Sequence, residues 1–318
     1  MKRIGIVGAG IIGKTHKNAI KENNQCSMVA VCDVVREKAE ELAMETEAKV
    51  YTDYKEMAAE VEMDAVILNL PHYLHKEVTI YFLERKIPVL VEKPIALNVR
   101  ECDEMIAAAK ANDTLLAVGH VYRYTGFYRK VKEIIEQGTL GKLCLVTEIR
   151  NSDYFAPWRP KWFLEKEKSG GGIVMNFGAH SIDKLLYTTG ATVVDIKANG
   201  SNMLNDANVE ATAQVLLKLS NGASAALTYP GCKQAYLDEH AFYFTNGCIK
   251  WMNGGVWISK DNGDYEKVDV SYEKTKLGAQ LEEFIKYLDG EESEIVTPEY
   301  GREVIRVIEE VFRQIGEV

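Results

Sequence analysis

The opening segment of the chain, MKRIGIVGAGIIGKTH, constrains the fold more than any other part of the sequence. Its spacing predicts a buried strand over Lys2–Val7 and a helix over Ile11–Asn23, with glycines in the turn between them. In such a turn Gly8 adopts the tight backbone, Gly10 lets the chain approach a pyrophosphate, and Gly13 lets the helix pack closely on the strand. The motif therefore predicts a dinucleotide site. A glycine-rich turn that binds no ligand is the alternative.

The next predicted strand indicates which dinucleotide is bound. The N-terminus of the first helix, at Ile11 and Ile12, offers free N–H groups and the positive end of a dipole to a phosphate. The apolar run Met28–Cys32 ends at Asp33, where an acid accepts hydrogen bonds from ribose hydroxyls and repels a 2′-phosphate. Arg36 follows closely and is expected to contact the adenine or a phosphate. These residues favour NAD over NADP. A helix N-cap is the structural alternative for Asp33, and the two roles are compatible.

Strands and helices then alternate, which predicts parallel βαβ units and a doubly wound sheet over residues 1–119. The predicted strands are 64–70, 88–92 and 115–118, and the predicted helices are 34–45, 75–84 and 99–112. From residue 120 to 318, β-rich runs are separated by Gly, Asn and Asp turns. The strands predicted there are 144–150, 192–199, 210–219, 223–229, 241–245 and 248–252, followed by helices over 277–289 and 298–315. A chain of 318 residues accommodates both domains.

Composition excludes several classes of function. The net charge of −9 argues against nucleic acid as a partner. No apolar run approaches the roughly 20 residues of a membrane span, and the N-terminus is typical of a core strand rather than a signal peptide. The six cysteines are scattered without a CxxC spacing, which predicts a reduced cytoplasmic protein and no metal site.

Four segments resemble the Gfo/Idh/MocA family of glucose–fructose oxidoreductases and inositol dehydrogenases. They are VILNLPHYLH at 66–75, VEKPIA at 91–96, GHVYRYTGFYRKVKEIIEQGTLGKL at 119–143 and GGGIVMNFGAHSIDKLLYTTG at 170–190. They occur in the family's order, and the resemblance runs essentially end to end. It implies an N-terminal Rossmann domain and a C-terminal α/β domain with a large, mostly antiparallel sheet. The second domain is then expected to bind substrate and to mediate oligomerisation, giving a homodimer or homotetramer.

The resemblance also implies a reaction, namely hydride transfer between a nicotinamide and a hydroxyl or ketone of a sugar, ketosugar or polyol. Lys93 of the E-K-P motif matches the family's catalytic lysine, which holds the reacting oxygen and stabilises its negative charge. His180 matches the motif histidine, which accepts the substrate proton. A solvated surface lysine and a core histidine are the structural alternatives for these two residues.

The other implied site residues fall into two sets. The cofactor set adds Leu70, Pro71, His72, His75, Glu92, Lys93 and Arg123 to the residues of the first two strands. The substrate set is Lys93, Tyr122, Trp162, Asn176, His180 and Tyr236. Asn176 departs from the family pattern, because aspartate is commonest there and an amide cannot ionise. This departure favours an unusual ketosugar, a glycoside or a substrate with a carboxylate.

Other functions fit the same scaffold. The main alternative is a non-catalytic, dinucleotide-dependent sugar sensor or regulator. A third possibility is a hydrolytic or eliminating enzyme that uses NAD as a recycled cofactor. The presence of both Lys93 and His180 favours the oxidoreductase.

Overall fold

The computed structural model describes residues 1–204, 206–271 and 274–316. The chain divides into two compact units, Met1–Val121 with Glu273–Ile305, and Tyr122–Tyr272 with Arg306–Val318. In chain order the helices are α1 (Ile11–Glu22), α2 (Arg36–Ala43), α3 (Tyr54–Glu60), α4 (His75–Leu83), α5 (Val99–Ala111), α6 (Gly126–Gln137), α7 (Lys166–Ser169), α8 (Ala179–Thr189), α9 (Lys276–Leu288) and α10 (Pro298–Ile315). In the segments that the structure describes, no helix is both long and apolar enough to span a bilayer.

The first unit contains a parallel sheet of six strands in the order β3-β2-β1-β4-β5-β6. Its strands are β1 (Lys2–Val7), β2 (Cys26–Cys32), β3 (Lys49–Tyr51), β4 (Ala65–Leu68), β5 (Val89–Glu92) and β6 (Leu116–Gly119). Every residue of β4 is buried, as expected for a strand with both faces covered by helices. The predicted doubly wound parallel sheet is confirmed, although the short β3 and α3 were not predicted.

The first unit also includes a later segment of the chain that the sequence division had placed in residues 120–318. Helix α9 contacts α1, and the N–H of Val118 donates to the carbonyl of Val296 at 3.0 Å. Through such long-range contacts, Glu273–Ile305 belongs to the same unit as the parallel sheet. The pattern of helices predicted this segment's secondary structure, but it could not show which sheet the helices cover.

The second unit contains a sheet of eight strands in the order β14-β13-β12-β11-β7-β10-β9-β8. Its strands are β7 (Leu143–Asn151), β8 (Val193–Ser201), β9 (Thr212–Leu219), β10 (Ser224–Tyr229), β11 (Leu237–Phe244), β12 (Gly247–Met252), β13 (Gly255–Lys260) and β14 (Glu266–Val268). The β7–β10 pair is parallel and the remaining neighbours are antiparallel, which confirms the mostly antiparallel sheet. Strand β11 begins four residues before the predicted Ala241, and this difference bears on the site below.

Candidate active site

The glycine turn of the first unit has the backbone that its sequence predicts. Gly8 has φ of 97°, and a Cβ there would lie 2.3 Å from the carbonyl oxygen of Asn69. A Cβ on Gly13 would lie 2.3 Å from the carbonyl oxygen of Gly8, whereas a Cβ on Gly10 would meet nothing within 4 Å. The turn and the close packing of α1 on β1 therefore require Gly8 and Gly13. Gly10 instead faces open space at the N-terminus of α1.

Three further observations support a dinucleotide at this turn. Helix α1 has Gly10 as its N-cap and no side-chain cap. Ile11 and Ile12 are exposed to 79% and 45%, although both are apolar. Both polar atoms of the Asn69 amide are buried and lack a hydrogen-bond partner among the described residues. A phosphate would satisfy free N–H groups at the helix end, and such an unsatisfied amide is uncommon without a ligand.

Asp33 lies at the end of β2 and holds the glycine turn in place. One carboxylate oxygen accepts from the N–H of Ala9 at 2.8 Å, and the other accepts from the N–H of Val35 at 2.9 Å. The next helix begins at Arg36 with Val35 as its N-cap, so the interpretation of Asp33 as that cap is wrong. Each carboxylate oxygen keeps a second lone pair for a ribose hydroxyl. The exposed Arg36 guanidinium lies 3.6 Å from Glu40.

The segment after β4 and the E-K-P turn after β5 are joined by a buried histidine. His75 has no exposed surface, and its ring nitrogens lie 2.8 Å from the carbonyl oxygen of Pro94 and 2.9 Å from that of Leu70. Burial lowers the pKa of His75, and its hydrogen bonds to the backbone only partly oppose this. The buried ring thus fixes the position of Pro71 and of the buried His72 relative to the turn that carries Lys93.

Glu92 and His16 form a contact that the sequence did not reveal. The Nε2 atom of the buried His16 lies 3.1 Å from Glu92 Oε1, and the N–H of Lys93 donates to Glu92 Oε2 at 3.1 Å. Burial would raise the pKa of Glu92, but the hydrogen bond from His16 and the charges of His16 and Lys93 outweigh it, so the pKa is lowered. An ionised Glu92 is therefore available beside the lysine.

The motif of the second unit forms a π-helical turn over Val174–Gly178 that runs directly into α8. Asn176 is 9% exposed, and His180 lies one turn later at the start of α8. The ring of Tyr122 packs edge-on against that of His180, with centroids 4.9 Å apart. Tyr122 therefore contacts the predicted proton acceptor, and Asn176 lies one turn before it in the same unit.

Arg123, predicted to contact the cofactor, is held by an acid of the same motif. Its Nη2 atom donates to the fully buried Asp183 at 3.1 Å, and its guanidinium lies 4.9 Å from the ring centre of Tyr187. The pairing fixes Arg123 beside α8. Its contact with a cofactor stays a prediction.

The strands β7 and β11 carry a buried polar cluster, formed by Glu148, Arg150, Asp238 and His240 with Lys184 of α8. Asp238 pairs directly with Arg150 across the two strands, and His240 pairs with Glu148. Because side chains alternate between the faces of a strand, all four lie on the same face. Lys184 Nζ donates to Glu148 Oε1 at 2.8 Å.

Most of this polar cluster was not predicted. The signal was present as two charged i, i+2 pairs, E-x-R at 148–150 and D-x-H at 238–240, each inside a β-rich run. The second pair lay outside the predicted strand 241–245 and was therefore not aligned with the first.

The two remaining predicted substrate residues are Tyr236 and Trp162. The hydroxyl of Tyr236, which is 64% exposed, donates to Asp238 at 3.0 Å. Partial burial, followed by the nearby charge of Asp238, raises the pKa of Tyr236 to about 12. Trp162 stacks on Phe163 with ring centroids 3.8 Å apart. Tyr236 is thus connected to the polar cluster, whereas the stacking partner of Trp162 is its neighbour in the chain.

Comparison with known proteins agrees with this geometry. Residues 2–120 match the model of an oxidoreductase family with an NAD-binding Rossmann fold, GFO/IDH/MocA, and residues 128–250 match the model of the C-terminal domain of the same family. D-glucoside 3-dehydrogenase of Escherichia coli is 30% identical over 88% of this chain and 76% of that protein. The match to 2,7-anhydro-N-acetylneuraminate hydratase of Mediterraneibacter gnavus, at 31% identity, covers 64% of this chain and only 54% of the hydratase.

A solved structure supports the fold over nearly the whole chain. The aldose-aldose oxidoreductase of Caulobacter crescentus, crystallised with glycerol, superposes with a TM-score of 0.89 over 98% of this chain and 97% of that chain. The sequence identity is 21%, so this likeness concerns the fold alone.

Proposed function

The chain belongs to the GFO/IDH/MocA oxidoreductase family, and on that premise we propose that it is an NAD-dependent enzyme that transfers a hydride between nicotinamide and a hydroxyl or ketone carbon. Its substrate is a sugar, a sugar derivative or a polyol. The relatives support this class of substrate, since one is named for a D-glucoside and another for an anhydro sugar acid.

One observation carries the proposal. Lys93 follows β5 at the carboxyl edge of the parallel sheet, and the glycine turn follows β1 at the same edge, with β4 between the two strands. In open parallel sheets, ligands bind outside the carboxyl ends of the strands. The catalytic lysine of the resemblance and the predicted dinucleotide site therefore lie on the same edge of one sheet.

The proposed cofactor residues are those whose backbone or side-chain groups can pair with a dinucleotide. The backbone N–H groups after Gly10 hold the pyrophosphate, and Asp33 accepts from the ribose. Glu92 is fixed and ionised beside Lys93. The nicotinamide, when bound, supplies the hydride chemistry.

The chain's own side chains handle the proton and the charge. Lys93 binds the reacting oxygen of the substrate and stabilises the negative charge that develops on it. His180 accepts the hydroxyl proton during oxidation and returns it during reduction. Asn176 orients a substrate hydroxyl through its amide, because it has no ionisable group with which to act as a base.

A second candidate is a hydratase or eliminating enzyme in which the cofactor is reduced and reoxidised within each turnover. The name of the Mediterraneibacter gnavus relative favours this reaction class. The two candidates differ in one observable. Net oxidation releases one NADH for each product, whereas an internal redox cycle forms product with no net NADH.

The test is turnover of the purified protein with NAD and a panel of sugars and polyols, followed by NADH absorbance and by product analysis. Lys93→Ala is expected to lower kcat by about 10² or more while NAD affinity changes little. Lys110→Ala is the matched control, because the Lys110 side chain on α5 is 70% exposed and forms a surface ion pair with Glu299 at 2.9 Å. Turnover by Lys93→Ala within a few-fold of wild type would refute the role of Lys93.

A further inference from the structure

The guanidinium of Arg150 has hydrogen-bonding capacity that the protein does not use. Its Nε and Nη1 atoms are buried and have no hydrogen-bond acceptor among the described residues. Nη2 reaches the hydroxyl of Tyr122 at 3.3 Å, and Nε lies 4.0 Å from Asp238, which is an ion-pair distance but too long for a hydrogen bond. Buried arginines usually satisfy their donors, so a cation in this state is positioned for an acceptor from outside the chain.

The two carboxylates of the polar cluster contact partners other than Arg150. The two ring nitrogens of His240 face Glu148 at 3.1 Å and Asp238 at 2.7 Å. Lys184 also donates to Glu148 at 2.8 Å. The Arg150 guanidinium therefore lacks a hydrogen-bonded anion among the described residues.

The polar cluster does not suit a metal ion. Glu148, Asp238 and His240 have donor atoms close enough together to hold one. However, both carboxylates already have hydrogen-bond partners, and the ammonium of Lys184, 2.8 Å from Glu148, would repel a metal ion. The group of the cluster that has donors without an acceptor is the guanidinium of Arg150, so its partner would be an anion.

Arg150 is also connected to the proposed reaction site within one unit. Tyr122 contacts the guanidinium through its hydroxyl and the ring of His180 through its own ring. The guanidinium carbon lies 4.4 Å from the ring centre of Phe177, the residue after Asn176. About a tenth of the Arg150 side chain, 11%, remains accessible.

The chemistry of the guanidinium selects the kind of anion. Its planar fork pairs two N–H groups with two coplanar oxygens, which matches a carboxylate. The Phe177 ring lies 4.4 Å from the guanidinium carbon, so an anion would pair in the plane of the guanidinium rather than on that face. A neutral sugar hydroxyl offers no charge opposite to that of Arg150.

We propose that Arg150 binds the carboxylate of an acidic sugar, and that the substrate class of this protein is therefore a sugar acid rather than a neutral sugar. This inference rests on the proposed function, since it names the substrate of the same site. Tyr122 then separates the carboxylate end of the substrate from the end that reacts at His180.

The experiment compares matched pairs of probes, D-glucuronate with D-glucose and D-galacturonate with D-galactose, in the presence of NAD. Wild type is expected to prefer the acid in kcat/KM, and Arg150→Met is expected to lose about 30-fold or more on the acid while changing little on the neutral sugar. Arg150→Lys keeps the charge but not the fork, so its loss should be smaller. Arg313→Met is the control, because the Arg313 side chain on α10 is 70% exposed, and this variant should keep the wild-type preference.

A second readout separates this inference from the proposed function. The thermal stabilisation of the protein by each probe, measured with NAD present, requires binding but no turnover. If no probe is oxidised but the acids stabilise wild type and not Arg150→Met, hydride transfer is refuted and the carboxylate site is supported. The carboxylate site is refuted if acids and neutral sugars behave alike in both assays, or if a folded Arg150→Met or Arg150→Lys protein keeps the full acid preference.

Discussion

Replacing Glu148 by glutamine tests how strongly one buried carboxylate holds the second unit together. Glu148 is 5% exposed and accepts hydrogen bonds from Ser181 and Lys184, with His240 Nδ1 3.1 Å away. Burial alone would raise the pKa of this carboxyl, but the charges and hydrogen bonds of Lys184 and His240 outweigh it, so the pKa lies well below its ordinary value. Glu148→Gln keeps the size of the side chain and removes only the charge.

The expected cost follows from these contacts. Opposite charges about 3 Å apart attract by about 5 kcal/mol at an effective dielectric constant near 20, but desolvation of both partners offsets much of this. Removing one partner leaves the other charges buried and unbalanced, which typically costs about 3–5 kcal/mol. We expect a loss of this size in the free energy of unfolding of the second unit.

Tryptophan fluorescence during urea denaturation measures this loss directly, because all four tryptophans lie between residues 158 and 257, in the second unit. Glu239→Gln is the matched control. Glu239 lies on the same strand between Asp238 and His240, so its side chain points to the opposite face, and the change should stay within about 0.5 kcal/mol. A cost below about 1 kcal/mol for Glu148→Gln, or equal costs for the two variants, would refute the electrostatic argument.

The same contact predicts a pH dependence. A carboxyl whose folded pKa lies below its unfolded value, 4.5 for glutamate, contributes its full stability above that pH. The contribution is lost as the pH falls from the unfolded value through the folded one. The stability gap between wild type and Glu148→Gln should therefore be constant near neutral pH and should narrow below about pH 4.5. A gap independent of pH in that range would contradict the assignment of the charge to Glu148.

Three further predictions concern the cofactor, the proton and the assembly. Asp33→Ala should weaken the binding of NAD more than the binding of NADP in titrations of both cofactors, because ribose hydrogen bonds and repulsion of the 2′-phosphate are lost together. An unchanged ratio of the NAD and NADP affinities would contradict the role of Asp33. Asn176→Asp should move the plateau of the oxidation rate to higher pH, because a carboxylate near His180 favours its protonated form, and an unchanged pH–rate profile would place the proton elsewhere. Leu216 lies on β9 and is 58% exposed, on the solvent-facing side of the eight-stranded sheet. If a homo-oligomer forms through this face, Leu216→Lys should dissociate it, as measured by light scattering. A wild-type protein that is monomeric at micromolar concentration would refute assembly through this face.

The sequence by itself determined the features that depend on local spacing. The glycines at 8, 10 and 13, the acid at the end of β2 and the alternation of strands and helices predicted the parallel sheet and its dinucleotide turn. The helix 298–315 was also predicted with its observed bounds. These features are local, because a tight turn, a strand end or an apolar helix face is specified by residues that are close in sequence.

Only the tertiary structure decided which distant residues meet. A strand pattern of period two shows that Glu148 and Arg150 share a face, and that Asp238 and His240 do, but it carries no information about which strands pair or in what register. The pairing of β7 with β11 places these four side chains together, and the proposed carboxylate site rests on this arrangement. His16 and Glu92, 76 residues apart, likewise meet only because α1 and β5 belong to the same layered unit. Long-range contacts of this kind depend on the packing of whole elements, so no local pattern in the sequence predicts them.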